Sequence, residues 1–181
     1  MKQGNEFNRS FPMIEIRKEE PADQDAVRRI NEMAFEQGPE AAIVDRLRKS
    51  CKEYCSFVAV NQDTVIGHIL FTPVTIDGSN LIGMGLAPMA VLPSYQNQGI
   101  GSLLVQHGLQ HLQQLGSPFV IVLGHPEYYP RFGFEPASHY MLKCQWKGVP
   151  DEAFMVVVFD RGVLPREGGI AQYRAEFDEA M

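Results

Sequence analysis

Residues 94–112 read SYQNQGIGSLLVQHGLQHL, with Gly99 and Gly101 placed where a helical pattern is about to begin. Glycine weakens a first helical turn unless something must approach the backbone there. The unpaired N–H groups of a helix start, with their partial positive charge, suit an anion such as a phosphate. With no Cβ intervening, a bulky anion can rest against them. The other reading is that the two glycines only allow a helix to pack closely on a sheet. No Lys-Ser/Thr follows the glycine, so this is not a Walker loop, and two glycines do not make GxGxxG. Further along, His125 follows the apolar run FVIVLG, at the strand end where α/β proteins gather ligands. Histidine side chains titrate near ~6.5 in water, which suits proton transfer at neutral pH. Its alternative role is to orient the loop through a backbone hydrogen bond. Glu127, Tyr128 and Tyr129 follow at once.

Other candidates point to structure. His107 and His111 have the i, i+4 spacing of a metal pair, but Gly108 stands where a metalloprotease motif has glutamate. A polar helix face accounts for them, and no metal is expected. His68 lies in an apolar strand and reads as a satisfied core or sheet-face histidine. Met84 and Met89 read as core filler. Cys51, Cys55 and Cys144 lack CxxC spacing and read as free thiols in a reducing compartment.

The 181 residues fit one domain, or one with tails. Hydrophobic residues make up 45% and charged ones 21%, ordinary values for a folded core. A formal charge of −6, with scattered Arg and Lys, does not fit a nucleic-acid partner. No apolar run reaches the ~18 residues of a membrane helix. Residues 1–12, MKQGNEFNRSFP, lack the apolar core of a signal peptide, so they read as a polar leader and the expected location is cytoplasmic.

The elements that must position these residues follow from periodicity. MIEIRKE (Met13–Glu19) alternates as a half-buried strand. A helix follows with Pro21 in its first turn and Val27, Ile30, Met33 and Ala34 on one face. Gly38-Pro39 ends it, and a second helix runs from Glu40 to Lys49. SFVAVN and VIGHILFTPVTI form a hairpin at NQDT. LIGMGLAPMAVLP is a strand, the glycine stretch a helix ending near Gly116, and FVIVLG a strand buried on both faces. PEYYPRFGF is a short irregular or helical piece, and MLKCQW and FMVVVFD are the final strands. Strand–helix–strand around the glycines implies a right-handed crossover between parallel strands. The sum is a mixed α/β (α+β) sheet with helices on both faces.

Gln96-x-x-Gly99-x-Gly101 after an apolar strand resembles the Gln/Arg-x-x-Gly-x-Gly/Ala signature of the GNAT acetyltransferases. YPRFGF is similar to the family's Tyr-x-x-x-Gly-Phe block, with Tyr129, Gly133 and Phe134 in the matching places. The longer phrase GLAPMAVLPSYQNQGIG…VLGHPEYYPRFGF resembles the YhbS-like branch. The resemblance covers about residues 13 to 160. It implies a GNAT-like, mostly antiparallel sheet with one splayed parallel pair. It divides the chain into an acetyl-CoA-dependent domain over 13–164 and an arm over 165–181 packed on it. The implied reaction moves an acetyl group from acetyl-CoA, as co-substrate, to a primary amine by direct attack in a ternary complex.

Carried over residue by residue, the N–H groups of Gln98, Gly99, Ile100, Gly101 and Ser102 hold the pyrophosphate beside Gln96. Met89, Ala90 and Val91 pair with the pantetheine, and Ala90 or Val91 serves the oxyanion. Pro88 independently marks a bulge or an edge in that strand. Arg131 and Phe132 line the cofactor side. Tyr129 occupies the general-acid position, with Tyr128 exchanged for it by a one-residue slip. A phenol near ~10 and a thiol near ~8.5 can share a proton. His125 and Glu127 are candidates for the base, with water as the alternative. The first two helices and the late strands face the acceptor, with Glu36 and Glu40 suited to a cationic amine. Small-molecule and peptide amines both remain open, as do a monomer and a homodimer. A non-catalytic acyl-CoA sensor shares the glycine turn but has no use for Tyr129, and an unrelated phosphate-binding scaffold would bind ATP or NAD.

Overall fold

The computed structural model of the protein describes residues 14–36 and 38–180. The polar leader 1–12, Met13 at the expected start of the first strand, and Met181 in the arm lie outside the described residues. Strand β1 spans Glu15–Lys18, and helix α1, Gln24–Ala34, follows a 3-10 turn at Pro21–Asp23. Proline suits that turn because its missing N–H would have had no partner there. Helix α2 covers Glu40–Ser50, and strands β2 (Cys55–Asn61) and β3 (Thr64–Ile76) form a hairpin. Gln62 and Asp63 both take positive φ at its tip, 46° and 65°, which matches the twist of a two-residue turn. Strand β4 is Ile82–Val91, helix α3 Ile100–Gln114 and strand β5 Phe119–Leu123. The piece after β5 is a 3-10 turn at Tyr129–Phe132. Strands β6 (Glu135–Pro136), β7 (Leu142–Cys144), β8 (Phe154–Val158) and β9 (Gly169–Gln172) complete the chain.

The sheet runs β1-β2-β3-β4-β5-β8-β6, with β9 joining β3 and β7. Pairing is antiparallel except between β4 and β5 and between β7 and β9. Alternation along the strands divides the core. Val58, Val74, Phe119 and Ile121 pack with Val27, Val44 and Leu47 of α1 and α2 on one face. Phe57, Phe71, Val120 and Val122 pack with Leu104, Val105 and Leu112 of α3 on the other. Strand β5 is thus buried on both faces, as its unbroken apolar run requires.

Two features of β4 prepare the site. Leu86 pairs with Phe71 and Met89 with Ile69, so Ala87 and Pro88 together oppose Leu70 in a bulge. Pairing with β5 covers only Met84–Leu86 against Val120–Val122, and β4 runs on to Val91 without that partner. The two parallel strands therefore part at the bulge.

A polar chain fastens α1 and α2 to the sheet. Asn31 Nδ2 contacts the fully buried His68 Nδ1 at 3.2 Å and also donates to the Val27 carbonyl at 2.9 Å. An amide donor at Nδ1 makes that nitrogen an acceptor, so the ring is neutral and its Nε2–H faces Ser56 Oγ at 3.0 Å. Ser56 donates to Glu19, which pairs with Arg48 of α2; both are at least nine-tenths buried. Burial lowers the pKa of His68, outweighing Glu19. Burial pushes Glu19 up, but His68, Ser56 and Arg48 outweigh it and hold the carboxylate below its ordinary value.

Candidate active site

A cavity of about 1050 Å³ opens where β4 and β5 part, walled by Leu86–Val91 on one strand and Leu123–Gly124 on the other. Toward α3 its wall includes Met89, Ala90, Val91, Gln96, Gly101 and Arg131 from the expected cofactor set. Gly99 caps α3 at φ 84°, and Asn97 also sits in the left-handed region, at 60°. Such alternation turns successive N–H groups toward one concavity. Among the described residues, the N–H groups of Gln98 to Ser102 meet no backbone acceptor, and Gly99 O takes the first helical bond, from Leu103 at 3.1 Å. Gln96 and Gln98 brace the turn through side-chain bonds to the Val91 and Ser94 carbonyls, at 3.0 and 3.1 Å.

The two glycines differ. A Cβ on Gly99 would meet nothing within 4 Å, so its φ is what selects glycine. A Cβ on Gly101 would lie 2.8 Å from the Tyr128 hydroxyl, with Met89 next. Gly99 is not pressed against the sheet and Gly101 meets it only at ordinary contact distance, through Met89 at 3.5 Å; the tight helix–sheet approach is at Gly108, which lies over Phe71. Gln98, Gly99, Ile100, Ser102 and Phe132 are not on the cavity wall. Ile100 is 3% exposed and packs under the helix, so only its N–H could face a ligand. Phe132 packs edge-on against Tyr128 at 5.3 Å. Arg131 stacks 4.8 Å over the Tyr128 ring and donates to the Tyr128 carbonyl at 2.9 Å.

Tyr129 lies in the gap itself. Its ring covers Gly124 at the end of β5, where a Cβ would come within 2.4 Å, and meets Phe134 edge-on. The residue is 6% exposed. Burial first, then the neighbouring Tyr128, hold its phenol far above the ordinary tyrosine range, so it keeps its proton at neutral pH. Tyr128, half-buried, points its hydroxyl at the glycine turn instead. His125 is exposed at the rim, and its carbonyl accepts the N–H of Tyr128 at 3.0 Å and of Tyr129 at 3.4 Å. Glu127 is also exposed, with its carbonyl accepting from Arg131. His107 and His111 stand edge-on over Phe57 at 4.9 and 5.1 Å. Among the described residues no three His, Cys, Asp or Glu side chains gather.

On the α1–α2 face the same cavity is walled by Phe35, Glu40, Ile43, Trp146, Tyr173 and Phe177. Of these only Glu40 was legible as a site residue; Glu36, expected beside it, is exposed and off the wall. Tyr173 follows β9, which the mixed composition of the arm concealed. Its ring covers Gly85 of β4, lies tilted against Trp146 at 5.2 Å and meets Phe177 edge-on at 5.8 Å. Gln145 fixes it by accepting the Tyr173 N–H at 2.5 Å, while Trp146 Nε1 donates to Asp178 at 2.9 Å.

A mixed sheet split at a bulge, with a glycine-capped helix start on one side of the split and a phenol inside it, defines the class as an acetyltransferase of the GNAT type. The chain belongs to the GNAT acetyltransferase family: the model of the Acetyltransferase (GNAT) domain matches residues 15–137. It is 36% identical over 164 residues to the uncharacterized N-acetyltransferase YhbS of Escherichia coli strain K12, covering 90% of this chain and 98% of the relative. The crystal structure of E. coli YhbS in complex with CoA matches with a TM-score of 0.84 and 34% identity over 92% of this chain and 93% of that one. A GNAT acetyltransferase from Brucella melitensis in complex with acetyl-CoA matches with a TM-score of 0.75 and 35% identity, over 92% and 99%. No helix among the described residues is long and apolar enough to cross a membrane.

Proposed function

We propose that the protein moves the acetyl group of acetyl-CoA to a primary amine by direct attack in a ternary complex. The observation that carries this reading is the through-going cavity, which joins the glycine turn on the α3 face to the aromatic wall on the α1–α2 face. The relatives crystallised with CoA and acetyl-CoA support the choice of donor. The pyrophosphate would rest on the free N–H groups of Gln98–Ser102 beside Arg131, and the pantetheine would run along Met89–Val91. An N–H at Ala90 or Val91 would meet the developing oxyanion. As the amine nitrogen bonds to the acetyl carbon, the carbon–sulfur bond breaks and Tyr129 gives its proton to the departing thiolate. Burial opposes a free thiolate in the gap as it opposes a phenolate, so the rise in the phenol's pKa is matched by a rise in the thiol's and the two do not drift apart in proton affinity. Water at the rim, His125 or Glu127 takes the amine proton. The transferase domain spans 13–164, and the arm at 165–181 completes its acceptor wall.

The test is a pair of substitutions at Gly99, where space is open. Asn and Asp both tolerate positive φ better than other side chains, and both cap helices well. Gly99→Asn should bind acetyl-CoA within a few-fold of the parent by calorimetry. Gly99→Asp, equally folded, should bind at least tenfold more weakly, because its charge faces the pyrophosphate. Equal affinity in the two variants would contradict the assignment.

A further inference from the structure

Two residues that line the α1–α2 face of the cavity each carry a buried polar atom that has no partner among the described residues. The Tyr173 hydroxyl is buried, in a residue 7% exposed, and has no hydrogen bond among the described residues. One carboxylate oxygen of Glu40, Oε2, is buried against Gly38 and equally unpartnered. An unmade bond at a buried polar atom is costly, so such an atom calls for a water or a ligand to complete it. Both residues line this cavity. Around them the wall is apolar and aromatic: Phe35, Ile43, Trp146 and Phe177. Among the described residues no lysine lines the cavity, and the one arginine that does, Arg131, is bound to the loop carbonyls on the opposite face.

We propose that this half of the cavity selects an amine borne on an apolar, aromatic body that carries no carboxylate, with Glu40 and Tyr173 as its two polar contacts. Glu40 recognises the ammonium ion in which such an amine arrives. The aromatic side chains take the body and the face of the cation. Tyr173, at once a donor and an acceptor, holds the nitrogen near the gap where Tyr129 waits. A free amino acid is rejected because its carboxylate would enter beside Glu40 with no cation to meet it. Peptide lysines fit less well, since a polar backbone would have to follow the side chain into an aromatic chamber.

This inference rests on the acetyltransferase reading, and the experiment separates the two. Acetyl-CoA binding is measured first by calorimetry, and then 2-phenylethylamine and phenylalanine are titrated into the protein–CoA complex. The amine should bind at least tenfold more tightly than the amino acid. Glu40→Gln should weaken the amine about tenfold or more, and leave acetyl-CoA affinity unchanged. Tyr173→Phe should raise KM for the amine while thermal stability holds or rises, because it removes an unpartnered buried hydroxyl; a purely structural role would lower stability instead. If acetyl-CoA binds but the amine does not, or phenylalanine binds as well, the inference is overturned and the acetyltransferase reading stands. If acetyl-CoA fails to bind the parent protein, both fall.

Discussion

The α3 half of the cavity comes from two short stretches, 86–101 and 123–131, whereas the α1–α2 half draws on segments as far apart as Phe35, Trp146 and Phe177. The first half offers backbone N–H groups, whose direction is fixed by φ at Asn97 and Gly99. The second offers side chains held by tertiary contacts: Trp146 by Asp178, Tyr173 by Gln145, and α2 by the arm through Arg46 and Glu179 at 2.6 Å. A binding surface made of backbone tolerates most changes of side chain, whereas one made of side chains changes its ligand with each substitution. The donor of the acetyl group is therefore common to a family, and the acceptor is the property of the individual chain.

The largest effect that can set the halves apart lies at the gap between them. Tyr129→Phe keeps the ring over Gly124 and deletes the proton. Its kcat should fall by the ~10²–10⁴ of a general acid, while acetyl-CoA binds as before. Tyr128→Phe removes the hydroxyl beside Gly101 and should instead weaken CoA, with a small change in kcat. The reverse pattern would exchange the two tyrosines.

A smaller effect is expected from acid, and it falls on the α1–α2 half. His68 has a folded-state pKa lowered by burial, so its contribution to stability is complete above the unfolded value of ~6.5 and is lost as pH falls below it. Glu19 is also lowered, and its contribution is lost further down, below the ordinary glutamate value of 4.5. Both act in the same direction, so unfolding free energy should decline below pH ~6.5 at a slope approaching about 1.4 kcal/mol per pH unit for each proton taken up. Urea titrations between neutral and acid pH should show that slope flatten in His68→Gln. A stability profile unchanged by the substitution would mean that the network does not carry the pH dependence.

The legible parts of the molecule are those encoded locally. The glycine pair, Pro88 in its strand and the unbroken FVIVL run each state a backbone requirement within a few residues, and the bulge, the helix start and the doubly buried strand stand where those residues place them. Strand β9 is four residues long, GIAQ, too short to show a period, and it forms because β3 and β7 already present edges to it. Trp146 closes the expected strand MLKCQW, Tyr173 and Phe177 fall in the arm, and nothing at the level of spacing tells a core ring from one on a cavity wall. Glu40 was visible only because a helix break set it beside the expected acceptor face, the same reasoning that misplaced Glu36.

Direct transfer across the gap is the central claim, and initial-rate kinetics test it most directly. With acetyl-CoA and an accepted amine varied together, double-reciprocal plots should intersect, since both substrates must occupy the two halves at once. Parallel lines, with an acetylated enzyme formed from acetyl-CoA alone, would contradict a ternary complex.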